Sequence, residues 1–93
     1  MRKYELTVVL SPQLNGEDMK KAVKAVEAVV EKVKGKVEKK EEWGKKELAY
    51  PIKKQTEGIY VLFNVELAGK ELVRVDKELK LMDDILRFLI VGV

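Results

Sequence analysis

Apolar and polar residues alternate from the start of the chain. In residues 3–10, Leu6, Val8 and Leu10 interleave with Glu5, Thr7 and Val9. A two-residue period rich in β-branched and aromatic types predicts a strand with one buried face. Ser11-Pro12 ends it, since Pro12 brings no N–H to a ladder. Over residues 16–34 the period changes. Met19, Val23, Val26, Val30 and Val33 recur at spacings of four and three, one side of a helix. Asn15 suits the N-cap, and Glu17 and Asp18 suit the positive end of the helix dipole. Gly35 suits the left-handed residue that ends a helix.

Residues 36–53 are dense in Lys and Glu, but Gly44 and Pro51 argue against a helix there. Val37, Leu48, Tyr50 and Ile52 fit a long strand bent near Gly44. Pro51 and the charges suit an edge position, where they resist pairing with other chains. Thr56-Glu57-Gly58 reads as a hairpin turn. Next comes the clearest strand, 59–67, with Ile59, Val61, Phe63, Val65 and Leu67 on one face and Tyr60, Leu62, Asn64 and Glu66 on the other. A short helix over 70–80 turns Leu72, Val75 and Leu79 inward, with Arg74–Glu78 and Asp76–Lys80 spaced to pair along it. Asp83-Asp84 makes a turn. In the last strand, 85–91, Phe88 and Ile90 alternate with Arg87, Leu89 and Val91.

The order β-α-β-β-α-β predicts an α+β, ferredoxin-like domain over residues 1–93. It is a four-stranded antiparallel sheet with two helices on one face. The other face is left bare, and Val9, Tyr60, Leu62, Leu89 and Val91 fall on it. Apolar patches on a chain that is 38% charged often mark a partner surface; the other reading is ordinary strand residues shielded by long neighbouring side chains.

Composition removes most chemistry. With 93 residues there is one modest core and no room for a large cleft. Cysteine and histidine are absent. That excludes disulfides, thiol chemistry, the commonest general base and the commonest metal ligands. No cofactor or metal is implied. The single serine, Ser11, has no base to activate it. Asp83-Asp84 reads as a turn rather than an acid/base or metal pair. No glycine-rich phosphate loop occurs. An acylphosphatase-like reading needs an arginine near the loop after the first strand, and Ser11–Gly16 holds none. No apolar run is long enough to span a membrane. The start Arg2-Lys3-Tyr4-Glu5 runs directly into a strand and is not expected to be a signal peptide. A soluble, cytoplasmic protein is the expectation.

Charge leaves an anionic partner open. The net charge is only +3, but residues 31–54 hold nine Lys and five Glu. RNA-recognition motifs stack bases on a bare sheet, with a basic residue first, a small one fourth and an aromatic last in the central-strand motif. Glu57, Tyr60 and Asn64 occupy those places here, which argues against generic base stacking on this sheet. Phosphate contacts through Arg2, Lys3, Lys45, Lys46, Lys53, Lys54 or Arg87 remain.

One segment is specific. Gly44-Lys45-Lys46-Glu47-Leu48-Ala49-Tyr50-Pro51-Ile52-Lys53 resembles the signature of the bacterial small-subunit ribosomal protein S-six family. That pattern is Gly, any residue, basic, polar or charged, Leu, Ser or Ala, Tyr, usually Pro, Ile, and basic or small polar. The opening Arg2-Lys3-Tyr4-Glu5 and the stretch from Leu79 through Asp83 to Arg87 are also similar. The resemblance implies the ferredoxin-like fold and a non-enzymatic role in the small ribosomal subunit. It implies binding to the central domain of the small-subunit ribosomal RNA together with ribosomal protein S-eighteen, as a heterodimer. Arg2, Lys46, Lys53 and Arg87 are then candidates for RNA phosphate contact. Val9, Tyr60, Leu62 and Leu89 are candidates for the protein partner. A different reading is a scaffold or engineered variant that self-associates through its uncovered sheet face.

Overall fold

The alternation in the first strand sorts the molecule into two faces. The computed structural model describes residues 1–93. The elements are β1 (Arg2–Leu10), α1 (Gly16–Lys32), β2 (Lys36–Ile52), β3 (Gln55–Leu67), a 3-10 turn at Gly69–Glu71, α2 (Leu72–Lys80) and β4 (Ile85–Gly92). They form one antiparallel sheet in the order β2-β3-β1-β4. Tyr4, Leu6, Val8 and Leu10 of β1 share a core with Ile59 to Leu67 of β3 at every second residue. The same core holds Val23, Val26 and Val30 of α1 and Val75 and Leu79 of α2. Both helices therefore pack on one face. Full burial of such side chains contributes roughly 1.5–3 kcal/mol each, which holds valine-rich α1 helical against its weak intrinsic propensity.

Asn15 caps α1 as the sequence predicts, its Oδ1 accepting from the Asp18 N–H at 2.8 Å. At the other end the left-handed residue is Lys34 (φ 62°), not Gly35. The Gly35 N–H donates to the Val30 carbonyl and the Lys34 N–H to that of Glu31, both at 2.9 Å. These two bonds satisfy the last carbonyls of the helix. On α2, Asp76–Lys80 forms at 2.9 Å. Glu78 instead takes Lys32 of α1 at 2.9 Å, and Arg74 turns to Glu71 at 4.0 Å. The expected Arg74–Glu78 pair is thus replaced by a bridge between the helices.

β2 lies at the edge, and nine of its seventeen residues are Lys or Glu. Such an edge repels a pairing strand. Its bend comes at Gly44 (φ 82°), where the register against β3 shifts between Glu42 and Gly44. The hairpin turn is not at Thr56-Glu57-Gly58. It is Lys53-Lys54, with φ of 49° and 68°, and β3 already begins at Gln55. Gly58 is a strand residue, and it is glycine because a Cβ there would run into the Val9 side chain.

Candidate nucleic-acid and partner-binding surface

Three rows of facing residues cross the bare side of the sheet. Gly44, Tyr60, Val9 and Arg87 form the row nearest the hairpin. Glu41, Leu62, Thr7 and Leu89 form the next, followed by Lys39, Asn64, Glu5 and Val91. Leu89 is 57% exposed and Val91 48%; Tyr60 and Leu62 are half-buried. The middle row is thus an accessible apolar strip with charge at its outer end.

Val9 departs from the expectation. It lies on the bare face by register but is only 5% exposed. Gly58 leaves the space it fills, and Leu48 also reaches the Gly58 position. Val9 is a floor beneath the hairpin end of the face, not a contact surface. Above that end, an Arg87 guanidinium N–H donates to the Tyr50 hydroxyl, and the guanidinium carbon stands 5.8 Å from the Tyr50 ring centroid.

The basic candidates divide into two places. Lys53 donates to the Ile85 carbonyl at 3.4 Å, which brings the hairpin tip to the start of β4. Arg87 is two residues further along β4, and Lys46 stands opposite Gly58 on the hairpin stem. These three share one end of the sheet, with Lys54 beside them. Arg2 does not join them. It pairs with Leu67 at the far end of β1, roughly 23 Å from Val9 at the usual strand rise.

Sequence reasoning missed Trp43. The ring is 46% exposed at the β2 bend. Its Nε1–H donates to Glu41 at 3.2 Å, and the Lys46 ammonium stands 5.0 Å from its centroid. Lys39 holds the same carboxylate at 3.0 Å. The hydrogen bonds from Lys39 and then Trp43 keep the Glu41 carboxyl below the usual carboxylate range, with the Lys39 charge adding to them. A tryptophan inside a Lys–Glu run was the available signal.

The largest hollow, about 530 Å³, lies between α2 and β4 and is lined by Leu72, Val73, Phe88, Leu89 and Ile90 with Tyr4, Asp76 and Gly92. Its one carboxylate, Asp76, is paired with Lys80. No group of three or more His, Cys, Asp or Glu side chains could hold a metal ion. No helix is long and apolar enough to cross a membrane.

Fold and surface together define a small ferredoxin-like binding domain. It presents an open sheet face and a basic hairpin end. The match to known proteins is specific. The family model described as Ribosomal protein S6 matches residues 3–92. A small ribosomal subunit protein bS6 of Dictyoglomus turgidum is 39% identical over 90 residues, 97% of this chain and 93% of that protein. The bS6 of Clostridium novyi is 41% identical over 93 residues, 99% and 97% respectively. The crystal structure of 30S ribosomal protein S6 from Thermotoga maritima superposes with a TM-score of 0.92 at 28% identity, covering 99% of this chain and 87% of that one. The chain belongs to the ribosomal protein S6 family, structural and non-enzymatic proteins of the small ribosomal subunit.

Proposed function

We propose that this chain acts in the cytoplasm as an assembly component of the bacterial small ribosomal subunit. It binds the central domain of the small-subunit ribosomal RNA together with ribosomal protein S-eighteen. The observation that carries the RNA half is the hairpin tip. Lys53 and Lys54 both sit at positive φ, a conformation that costs a non-glycine residue roughly 1–2 kcal/mol. Asn-Gly would make the same turn with less strain. Two lysines kept where they strain the backbone point to a use for their charge. Phosphate is the ligand that charge suits, and Lys46 and Arg87 stand at the same end. Arg2 makes a separate contact from the far end of β1.

The protein partner sits on the bare face, against Tyr60, Leu62 and Leu89, with Val9 supporting the row from beneath. That strip carries the exposed apolar area that water disfavours. The test is binding to a central-domain RNA fragment across a salt series, with and without S-eighteen. Charge reversal at Lys46, Lys53 and Arg87 together is expected to weaken binding and flatten its salt dependence by roughly 0.7–0.9 for each phosphate no longer neutralised. An unchanged slope removes these residues from the interface. Absence of RNA binding by the folded wild type, with a dimer in sedimentation, replaces this reading with self-association through the bare face.

A further inference from the structure

Phosphate contacts position an RNA but read nothing of its bases. One aromatic side chain of this surface stands apart from the core. Trp43 is the single tryptophan of the chain. It projects where the β2 register breaks, and around the neighbouring Gly44 a Cβ would meet nothing within 4 Å. The ring is 46% exposed, yet it is held. Glu41 accepts from its Nε1–H, Lys39 anchors Glu41, and the Lys46 ammonium stands over the ring. A fixed ring loses little freedom when a flat ligand stacks on it.

The surroundings favour a base over a protein anchor. Aromatic anchors of protein interfaces sit in the middle of an apolar patch. Trp43 sits on the outermost strand, beside Lys39 and Lys46 and outside the Leu62–Thr7–Leu89 row. The acidic residues nearby do not oppose an RNA backbone there. Glu41 is neutralised by Lys39. Glu42 and Glu47 register against Val61 and Glu57, on the helix side of the sheet. The charge left next to the ring is the Lys46 ammonium. An aromatic platform with a cation beside it is the usual device for holding an unpaired nucleotide.

We propose that Trp43 is a stacking platform for one unpaired nucleobase of the bound RNA on the ring face away from Lys46, whose ammonium meets the adjoining phosphate. This rests on the RNA-binding reading above and adds to it a base contact that Lys53 and Arg87 do not supply.

The experiment uses the full chain with 5-fluorotryptophan at position 43, S-eighteen, and a fluorescein-labelled central-domain RNA fragment that keeps its single-stranded loops. Anisotropy of the RNA reports binding as a whole, and the fluorine resonance reports the ring. The expected result is a fluorine shift when RNA joins the protein pair. Trp43→Ala is expected to weaken binding about tenfold with an unchanged salt slope, and Trp43→Phe to recover most of the loss. Both variants are expected to unfold at the wild-type denaturant midpoint, because the ring is outside the core. Wild-type affinity in Trp43→Ala overturns the stacking proposal and leaves the RNA reading standing. A shift complete on adding S-eighteen alone assigns the ring to the protein partner and also overturns it. No anisotropy change with the wild type overturns the RNA reading and the stacking proposal together.

Discussion

The guanidinium of Arg87 donates to the hydroxyl of Tyr50, joining the two outer strands of the sheet across its bare face. β2 and β4 are separated by β3 and β1, so their backbones run about 14 Å apart at the usual strand spacing. The contact forms only because the β2–β3 hairpin end coils over the face toward β4. Lys53 makes the same approach from the tip, reaching the Ile85 carbonyl. The coiled end covers Val9 and leaves Tyr60, Leu62 and Leu89 as the accessible part of the face.

The link is exposed on both sides, so its energetic worth is small. A double-mutant cycle of Tyr50→Phe and Arg87→Met is expected to give a coupling of about 0.5 kcal/mol. The structural effect is larger than the energy. Amide exchange at the hairpin tip is expected to quicken in Arg87→Met while the β1–β3 amides keep their protection.

Gly58 is the position that lets the hairpin end close down. Gly58→Ala places a methyl group against Val9, a stiff β-branched side chain that is itself buried. Overpacking of this kind costs roughly 1–3 kcal/mol, read as a lowered denaturant midpoint. Gly16 has nothing within 4 Å of its Cβ position. Gly16→Ala, in the first turn of α1, is expected to hold or raise the midpoint.

The Lys32–Glu78 bridge makes helix docking sensitive to acid. Lys32 donates to Glu78 and lends its charge, so the Glu78 carboxyl lies below the usual carboxylate range. A carboxyl lowered by folding contributes stability above its unfolded pKa and loses it as the pH falls through the folded value. Lys32→Met is therefore expected to be less stable than wild type at neutral pH. The two proteins converge at acid pH, and the Glu78 titration followed by NMR moves up toward the ordinary range.

Periodicity made most of the fold legible. The two-residue alternation of β1 and β3 and the three-to-four spacing of α1 are direct consequences of burying one face, and their inward residues are those found in the core. Asn15 was legible because its chemistry is local. The hairpin turn was not. Gly58 looked like turn chemistry, but its reason to be glycine is Val9, a residue of another strand. Lysine carries no turn signal, so the true turn at Lys53-Lys54 was hidden. The burial of Val9 was hidden for the same reason: its face follows from alternation, while its burial depends on how far a distant hairpin coils. Trp43 was passed over because a ring in a charged edge segment contributes nothing to the core pattern.

The hairpin tip offers the sharpest contrast between stability and use. Lys53 and Lys54 occupy a turn whose two positive φ values suit Asn-Gly. Replacing the pair with Lys53→Asn and Lys54→Gly relieves backbone strain, and the folded protein is expected to gain about 1 kcal/mol, read as a higher denaturant midpoint. The same change removes two ammonium groups from the basic end. RNA affinity measured with S-eighteen present is expected to fall, and the salt slope to drop by roughly 0.7–0.9 for each phosphate that the tip no longer neutralises. A lysine kept only for turn formation would give the first effect without the second. A gain in stability with unchanged RNA affinity would remove the tip from the interface and leave Arg87 and Lys46 as the phosphate contacts at that end of the sheet.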